Sequence, residues 1–414
     1  MKVLWLCNIC APSLANSAGE KETVYGGWIQ SALDVVTRNN DIEISYLYPS
    51  HKLVDGTHEG INFYSFLHND TNNINRFKTI IEKKMPDIIH IWGTEFKHSL
   101  DMVKACEELG VINKVVVNIQ GLIYKYAEVF DKGIPHAISK RKTLRDLLKN
   151  DCIKKQKQAF AKRGENEKEI LRRVKNVVGR TEWDKYNTCA INPNLNYYYC
   201  SEVLKPVFYE NKWDIDNCER CSIFVSQASY PIKGFHLLLA AIKILKSKYT
   251  MIKVYVGGEN ILNKSLIERQ RGSYYSKYIF DLVKKLGLEE NIIMLGKLNA
   301  DEMKNVYLSS NVFVSPSVVE NSSNSVCEAM ILGVPVVSSY VGGIPSLIEN
   351  NKTGLLYEVD NADALANCLI RLFDDDVLCK TISYNANIEA KKRHDKDIIY
   401  ADIISIYETI KKLS

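Results

Sequence analysis

The sequence predicts an α/β protein made of two doubly wound domains. Three observations carry that expectation. Short apolar runs alternate along the whole chain with stretches of helical period. The runs are almost continuously hydrophobic, as in Asp87-Ile-Ile-His-Ile-Trp92, which is what parallel strands covered on both faces require. The chain has 414 residues, too many for one ordinary core, so two domains of roughly 200 residues each are expected.

The first series opens with an apolar strand at Val3–Cys7. Gly26-Gly27 opens a helix running to about Arg38, and Ile42–Tyr48, rich in β-branched and aromatic residues, reads as a strand. Ile74–Lys84 has helical spacing and ends ahead of Pro86. Strands at 87–92 and 114–119 follow, then a long charged stretch, 137–175, that reads as helices. Val177–Arg180 and Asn196–Cys200 return to strand character.

Around Glu202–Arg220 the pattern breaks, and Pro206, Trp213 and a polar run suggest a linker. A second series begins at Ser222-Ile-Phe-Val-Ser. Helix 234–247, strand 252–256, helix 274–286, strand 292–295, helix 300–309 and strand 312–315 follow it. A helix carrying Glu328, strands 334–338 and 354–357, and helix 362–373 complete it. Ile399, Ile403, Ile406 and Ile410 form a helical stripe in the last segment. The expected division is an N-terminal domain at 1–205, a linker at 206–220, a C-terminal domain at 221–395, and a final helix at 396–414 packing back on the first domain. Both β-α-β series imply right-handed crossovers.

Bulk properties narrow the class. No run of about 18 apolar residues exists, so no membrane-spanning helix is expected, and the first strand lacks the cleavage site of a signal peptide. Eleven cysteines, several in apolar runs, fit reduced thiols in a cytoplasmic protein. The pairs Cys7/Cys10 and Cys218/Cys221 lie too far apart in sequence for a zinc ribbon. Residues 131–180 hold 16 Lys and Arg against 6 Asp and Glu, while the remainder holds 38 against 43. One basic segment therefore sets the net charge of +5. It reads either as a solvated helical face or as a docking site for an anionic membrane, which would place the protein peripherally on the inner face. Few aromatics interleave with these charges, so nucleic acid is not an expected partner.

Ligands of doubly wound sheets bind at the carboxyl ends of strands, where helix N-termini point. Four loops qualify. Tyr25-Gly26-Gly27-Trp28 lets backbone approach a ligand and opens a helix toward an anion, although a plain turn would also use Gly-Gly. Lys233, in Tyr230-Pro-Ile-Lys-Gly-Phe235, precedes a helix and suits a leaving diphosphate. Gly258, in Val256-Gly-Gly-Glu259, ends a strand and allows close passage of a nucleotide. The fourth runs from Ser315 through Glu320-Asn-Ser-Ser-Asn-Ser-Val-Cys-Glu328, with Ser322 or Ser323 as helix cap. Amides and side chains near Asn321, Ser323, Asn324 and Ser325 would face an anion, and the two carboxylates can accept hydrogen bonds from sugar or ribose hydroxyls.

Taken in order, Pro-Ile-Lys233-Gly-Phe, Gly296, Ser-Pro-Ser317, Glu320-x7-Glu328-Ala-Met, Gly-Val-Pro-Val-Val and Val-Gly-Gly343-Ile-Pro resemble a family-4 retaining glycosyltransferase of glycosyl transferase group 1, with GT-B fold. The amino-terminal half resembles it more loosely, through its first strand, Tyr-Gly-Gly-Trp and Pro-Asp-Ile-Ile-His-Ile-Trp. The resemblance implies two Rossmann-like domains facing across a cleft and sugar transfer from a nucleotide sugar, UDP- or GDP-linked, with retained configuration and no metal or other cofactor. The acceptor would be a glycan or lipid-linked glycan in surface polysaccharide assembly. It further implies that Lys233 neutralises the diphosphate, that Glu328 binds the ribose, that Glu320 lies near sugar and phosphates, and that Gly26-Gly27 closes over the diphosphate. A donor phosphate oxygen, not a protein nucleophile, would help deprotonate the acceptor, unlike the carboxylate pair of retaining glycosidases.

Two departures from the family pattern stand out. Ala228 and Gln227 occupy the positions of a frequent second cation, and Gln120 stands where a histidine often faces the acceptor. Arg180, ending a first-domain strand, is the expected substitute cation. Asp214-Ile-Asp216 has the form of a metal motif from another fold and reads as chance. Two rival readings accompany this one: a sugar-nucleotide epimerase on the same fold, and a non-catalytic partner subunit.

Overall fold

A computed structural model describes residues 1–21, 26–39, 41–68, 70–262 and 272–414. Tyr25, named above with Gly26, lies outside the described residues. The chain divides into two compact units, the first comprising Met1–Tyr124, Lys162–Lys205 and His394–Ser414, the second Lys125–Ala161 and Pro206–Arg393. Among the described residues no helix is long and apolar enough to cross a membrane.

The first unit holds eight strands: β1 (Lys2–Leu6), β2 (Glu43–Ser50), β3 (Asp55–His58), β4 (Ile61–Leu67), β5 (Ile88–Trp92), β6 (Val115–Asn118), β7 (Asn176–Gly179) and β8 (Asn196–Tyr199). Their order is β3-β4-β2-β1-β5-β6-β7-β8. All neighbours are parallel except β3 and β4. That hairpin turns at Glu59-Gly60, both at positive φ (47° and 81°), the conformation a two-residue hairpin loop demands. The apolar strands bury both faces of the sheet in two clusters. The helix Lys396–Leu413 buries Ile399, Ile403, Ile406 and Ile410 in one of them. There Tyr407 Oη lies 3.0 Å from Trp5 Nε1 and 2.7 Å from His90 Nδ1.

The second unit holds β9 (Glu219–Val225), β10 (Lys253–Gly257), β11 (Ile292–Gly296), β12 (Ser310–Ser315), β13 (Val336–Ser339) and β14 (Leu355–Tyr357). All pairs are parallel, in the order β11-β10-β9-β12-β13-β14. The order reverses direction between β9 and β12, so their carboxyl ends flank the crevice where ligands of such sheets bind.

Two expectations need correction. Residues 125–161, assigned above to the first domain, belong by contact to the second unit. The expected linker is folded: the Trp213 backbone N–H donates to Leu332 O at 2.7 Å, and its indole Nε1 donates to Ser310 O at 2.8 Å. In the same segment Asp214 caps the turn Ile215–Asn217, accepting from Asp216 N at 3.1 Å. The Asp-x-Asp motif there therefore has a local structural task.

Candidate active site

In the second unit, three loops at the carboxyl edge interlock. Gly234 sits at φ +65°, and a Cβ there would overlap the Pro316 carbonyl. Only glycine lets the turn Pro231–Lys233 close on the loop after β12, where Val318 N donates to Ile232 O at 2.9 Å. Gly342 makes the second close approach, at φ +50° against the Glu320 backbone, and Gly343 N donates to Glu320 O at 2.9 Å. The main chain of Glu320 is thus gripped by one loop and its side chain by another. Lys233 Nζ stands 2.6 Å from Glu320 Oε1, and Ser317 Oγ donates to the same oxygen at 2.8 Å. Glu320 is buried, whereas the Lys233 side chain keeps 31% of its exposure. A lysine ammonium has three donors, so contact with Glu320 leaves others for an incoming anion.

The helix Asn324–Leu332 begins directly after this pair, with Ser323 as its N-cap residue. No side chain caps it, because Ser323 Oγ pairs instead with Ser325 Oγ at 3.1 Å. Its first amides, which have no intrahelical partner, and the positive end of its dipole make an anion-accepting surface beside Lys233. Glu328 lies half-buried on this helix. Its Oε2 stands 3.3 Å from Tyr307 Oη, which is also 2.9 Å from Ser325 O. Burial, and then the neighbouring Glu328 carboxylate, push the Tyr307 phenol far above its ordinary pKa. The phenol therefore stays protonated and donates.

Gly258, at φ +94°, lies against Gln227. Gln227 Oε1 accepts from Ala228 N at 3.1 Å and Ser229 Oγ at 2.7 Å. The position expected for a second cation thus shapes a loop and carries no charge. Sequence reasoning missed Tyr126, whose Oη accepts from Asn321 N at 3.0 Å. It joins the second unit only through long-range contact, so no local pattern marks it.

In the first unit, Gly27 opens the helix Gly27–Thr37. A Cβ on Gly27 would collide with the Lys205 side chain and stand 3.3 Å from its Nζ. This ammonium at the Gly26-Gly27 turn was also missed; far apart in sequence, the two give no local signal. Arg180 is already paired within its own unit. Its guanidinium is buried, held 2.6 Å from Glu202 Oε2, and donates to Ile119 O at 3.3 Å and Gln120 O at 3.1 Å. It braces the ends of β6 and β7, its charge met within the first unit by Glu202. Gln120 is partly exposed and donates to Asn118 Oδ1 at 2.8 Å. The next loop is braced by Glu167, which accepts from Thr94 Oγ1 at 2.8 Å and from Ile123 N and Tyr124 N at 3.2 Å. Burial raises its carboxyl to about 7 despite these hydrogen bonds.

Residues 208–389 match the family described as glycosyl transferases group 1. Among curated proteins, the capsular polysaccharide biosynthesis glycosyltransferase CapM of Staphylococcus aureus is 29% identical over 182 residues, 44% of each chain. A UDP-Gal:α-D-GlcNAc-diphosphoundecaprenol α-1,3-galactosyltransferase of Escherichia coli is 30% identical over 128 residues, 31% of this chain and 30% of that one. The chain spans less than half the length of the curated relatives it matches. Among solved structures, sucrose-phosphate synthase of Thermosynechococcus elongatus superposes over 100% of both chains with TM-score 0.70 and 15% identity. Anabaena HepE in complex with UDP and glucose superposes over 99% of this chain and 100% of its own, with TM-score 0.66 and 16% identity. These likenesses establish the GT-B fold.

Proposed function

We propose that this chain, whose residues 208–389 match glycosyl transferases group 1, moves a sugar from a nucleotide-sugar donor to a glycan or lipid-linked acceptor with retained configuration. The product would be a surface polysaccharide or glycolipid. The observation that carries this reading is the Lys233–Glu320 pair, 2.6 Å apart at the uncapped start of the helix Asn324–Leu332. A leaving diphosphate needs fixed positive charge, and Lys233 with the helix amides supplies it where the negative charge develops. The acceptor hydroxyl attacks the anomeric carbon as the bond to the diphosphate breaks, and its proton passes to a donor phosphate oxygen. Glu320 orients Lys233 and the sugar and forms no bond to it. Glu328 takes the ribose hydroxyls, with Asn321, Ser323, Asn324, Ser325 and Gly258 lining the donor. Lys233 and the amides can carry the charge alone, so the reading requires no metal and the reaction survives EDTA. In the first unit the reading gives Gly26, Gly27 and Lys205 an anion-accepting role and Gln120 an acceptor-side role.

The uncharged Gln227 and Ala228, with Arg180 spent internally, favour one second reading, a partner subunit without turnover; the intact Lys233–Glu320 pair weighs against it. The test is incubation with UDP- and GDP-sugars and extracted lipid-linked acceptors, with NMR of the product anomer. A retained anomer that disappears in Lys233→Ala supports the proposal. Epimerised donor, inverted product, or full glycan assembly by Lys233→Ala overturns it.

A further inference from the structure

An ordinary amphipathic helix turns its leucines to the core and its carboxylates to water. The helix Leu144–Lys149 does the reverse. Leu144, Leu147 and Leu148, at i, i+3 and i+4, share one face, and they are 67%, 58% and 89% exposed. Asp146 on the same helix is buried. It completes a capping box with Thr143 and accepts from Tyr274 N at 2.9 Å. Thr143 Oγ1 donates to Gly272 O at 2.8 Å. The helix is therefore pinned to its own unit with its apolar face outward.

The charge around it is equally one-sided. Residues 132–161 hold nine Lys and Arg against two Asp, and Arg145 pairs with both, Asp146 at 3.2 Å and Asp151 at 2.8 Å. Lys140, Lys142, Lys149, Lys154 and Lys155 are exposed and make no ion pair among the described residues. Further along the basic stretch Arg163 pairs with Glu95, Lys168 with Glu165, and Arg173 with Glu107 and Glu169, while Lys162, Arg172 and Lys175 stay exposed. The larger share of the positive surplus, nine Lys and Arg against two Asp, thus lies in the segment that carries the outward leucines.

We propose that this face docks on an anionic lipid bilayer, the leucines entering the headgroup boundary and the lysines meeting lipid phosphates. Three leucines on a six-residue helix are far too little for a stable protein interface, which needs on the order of 1,000 Å². Shallow insertion with a basic rim needs no more than this. The docking stands apart from the reaction and would hold for any acceptor.

The test is flotation of the full chain with vesicles of phosphatidylcholine alone and of phosphatidylcholine mixed equally with phosphatidylglycerol. Binding to the mixed vesicles, weakened by salt, is expected. Leu144→Ser, Leu147→Ser and Leu148→Ser together should weaken it roughly tenfold or more with little change in Tm, since all three side chains are mostly exposed. Lys140→Gln, Lys142→Gln and Lys149→Gln should weaken it and flatten its salt dependence. Absence of binding to either vesicle, or equal binding by the leucine variant, would overturn the proposal. So would a self-associated wild type that the leucine variant makes monomeric, since a second copy would then cover the face.

Discussion

Replacing Gly234 by alanine tests the way the site is built. Gly234 and Gly287 share φ +65°, yet differ in their surroundings: a Cβ at 234 would lie 2.8 Å from the Pro316 carbonyl carbon and nearer still to its oxygen, whereas nothing lies within 4 Å at 287. Left-handed backbone costs an alanine about 1–2 kcal/mol at either position. Ordinary contact begins near 3.4 Å, so at 234 two backbone segments must part, with no side chain able to rotate away. Such overpacking adds about 1–3 kcal/mol. Gly234→Ala should therefore destabilise the second unit by about 2–5 kcal/mol, and Gly287→Ala by about 1–2 kcal/mol. Urea titration read by hydrogen exchange of peptides from the second sheet isolates that unit's transition. The displaced turn carries Lys233, so nucleoside diphosphate affinity should also fall in Gly234→Ala and stay unchanged in Gly287→Ala. Equal effects of the two substitutions would refute the interlocking of the loops after β9 and β12.

Three further outcomes concern the first unit. Burial lowers His90 and His98 to about 3 from an ordinary 6.5, so the fold favours both in the neutral form. Their contribution is full above pH 6.5 and is lost as pH falls toward 3, each adding up to about 1.4 kcal/mol per pH unit. Tm measured between pH 7 and 4 should drop less steeply in His90→Gln, and parallel curves would contradict this. Glu167 has the opposite sign: its carboxyl is raised to about 7, so its contribution is full below about 4.5 and is lost as pH rises to 7. The stability of wild type relative to Glu167→Gln should therefore shrink between pH 5 and 8, and a pH-independent difference would sink the assignment. Arg180→Met leaves the Glu202 carboxylate buried without its cation and should cost about 3–5 kcal/mol. Arg180→Met with Glu202→Leu should recover much of it, with donor KM unchanged in the folded fraction; a raised donor KM would return Arg180 to the site.

The parts legible in the sequence are those whose physics is local. Near-continuous apolar strands such as Ile88–Trp92 mark a covered parallel sheet by themselves, and the turn residues around Lys233 and Gly343 mark strand ends. What escaped depends on distant partners. Nothing in Leu144–Lys149 says which core it joins, because Asp146 finds Tyr274 only in the folded chain. Arg180 reads as a free cation until Glu202 is placed beside it. Trp213 sits in a polar run and looks like a linker residue, yet Ser310 and Leu332 hold it. The β3–β4 hairpin was missed because the polar strand Asp55–His58 lacks an apolar pattern.

The central claim is that Lys233, oriented by Glu320, recognises the donor's diphosphate. Its most direct test is titration of the nucleoside diphosphate and of the matching monophosphate onto wild type and Lys233→Met. A charge-assisted hydrogen bond to phosphate is worth about 1.5–3 kcal/mol, so diphosphate affinity should fall roughly 10- to 150-fold, with the monophosphate nearly unaffected. Equal losses for both ligands, or no loss for the diphosphate, would contradict it.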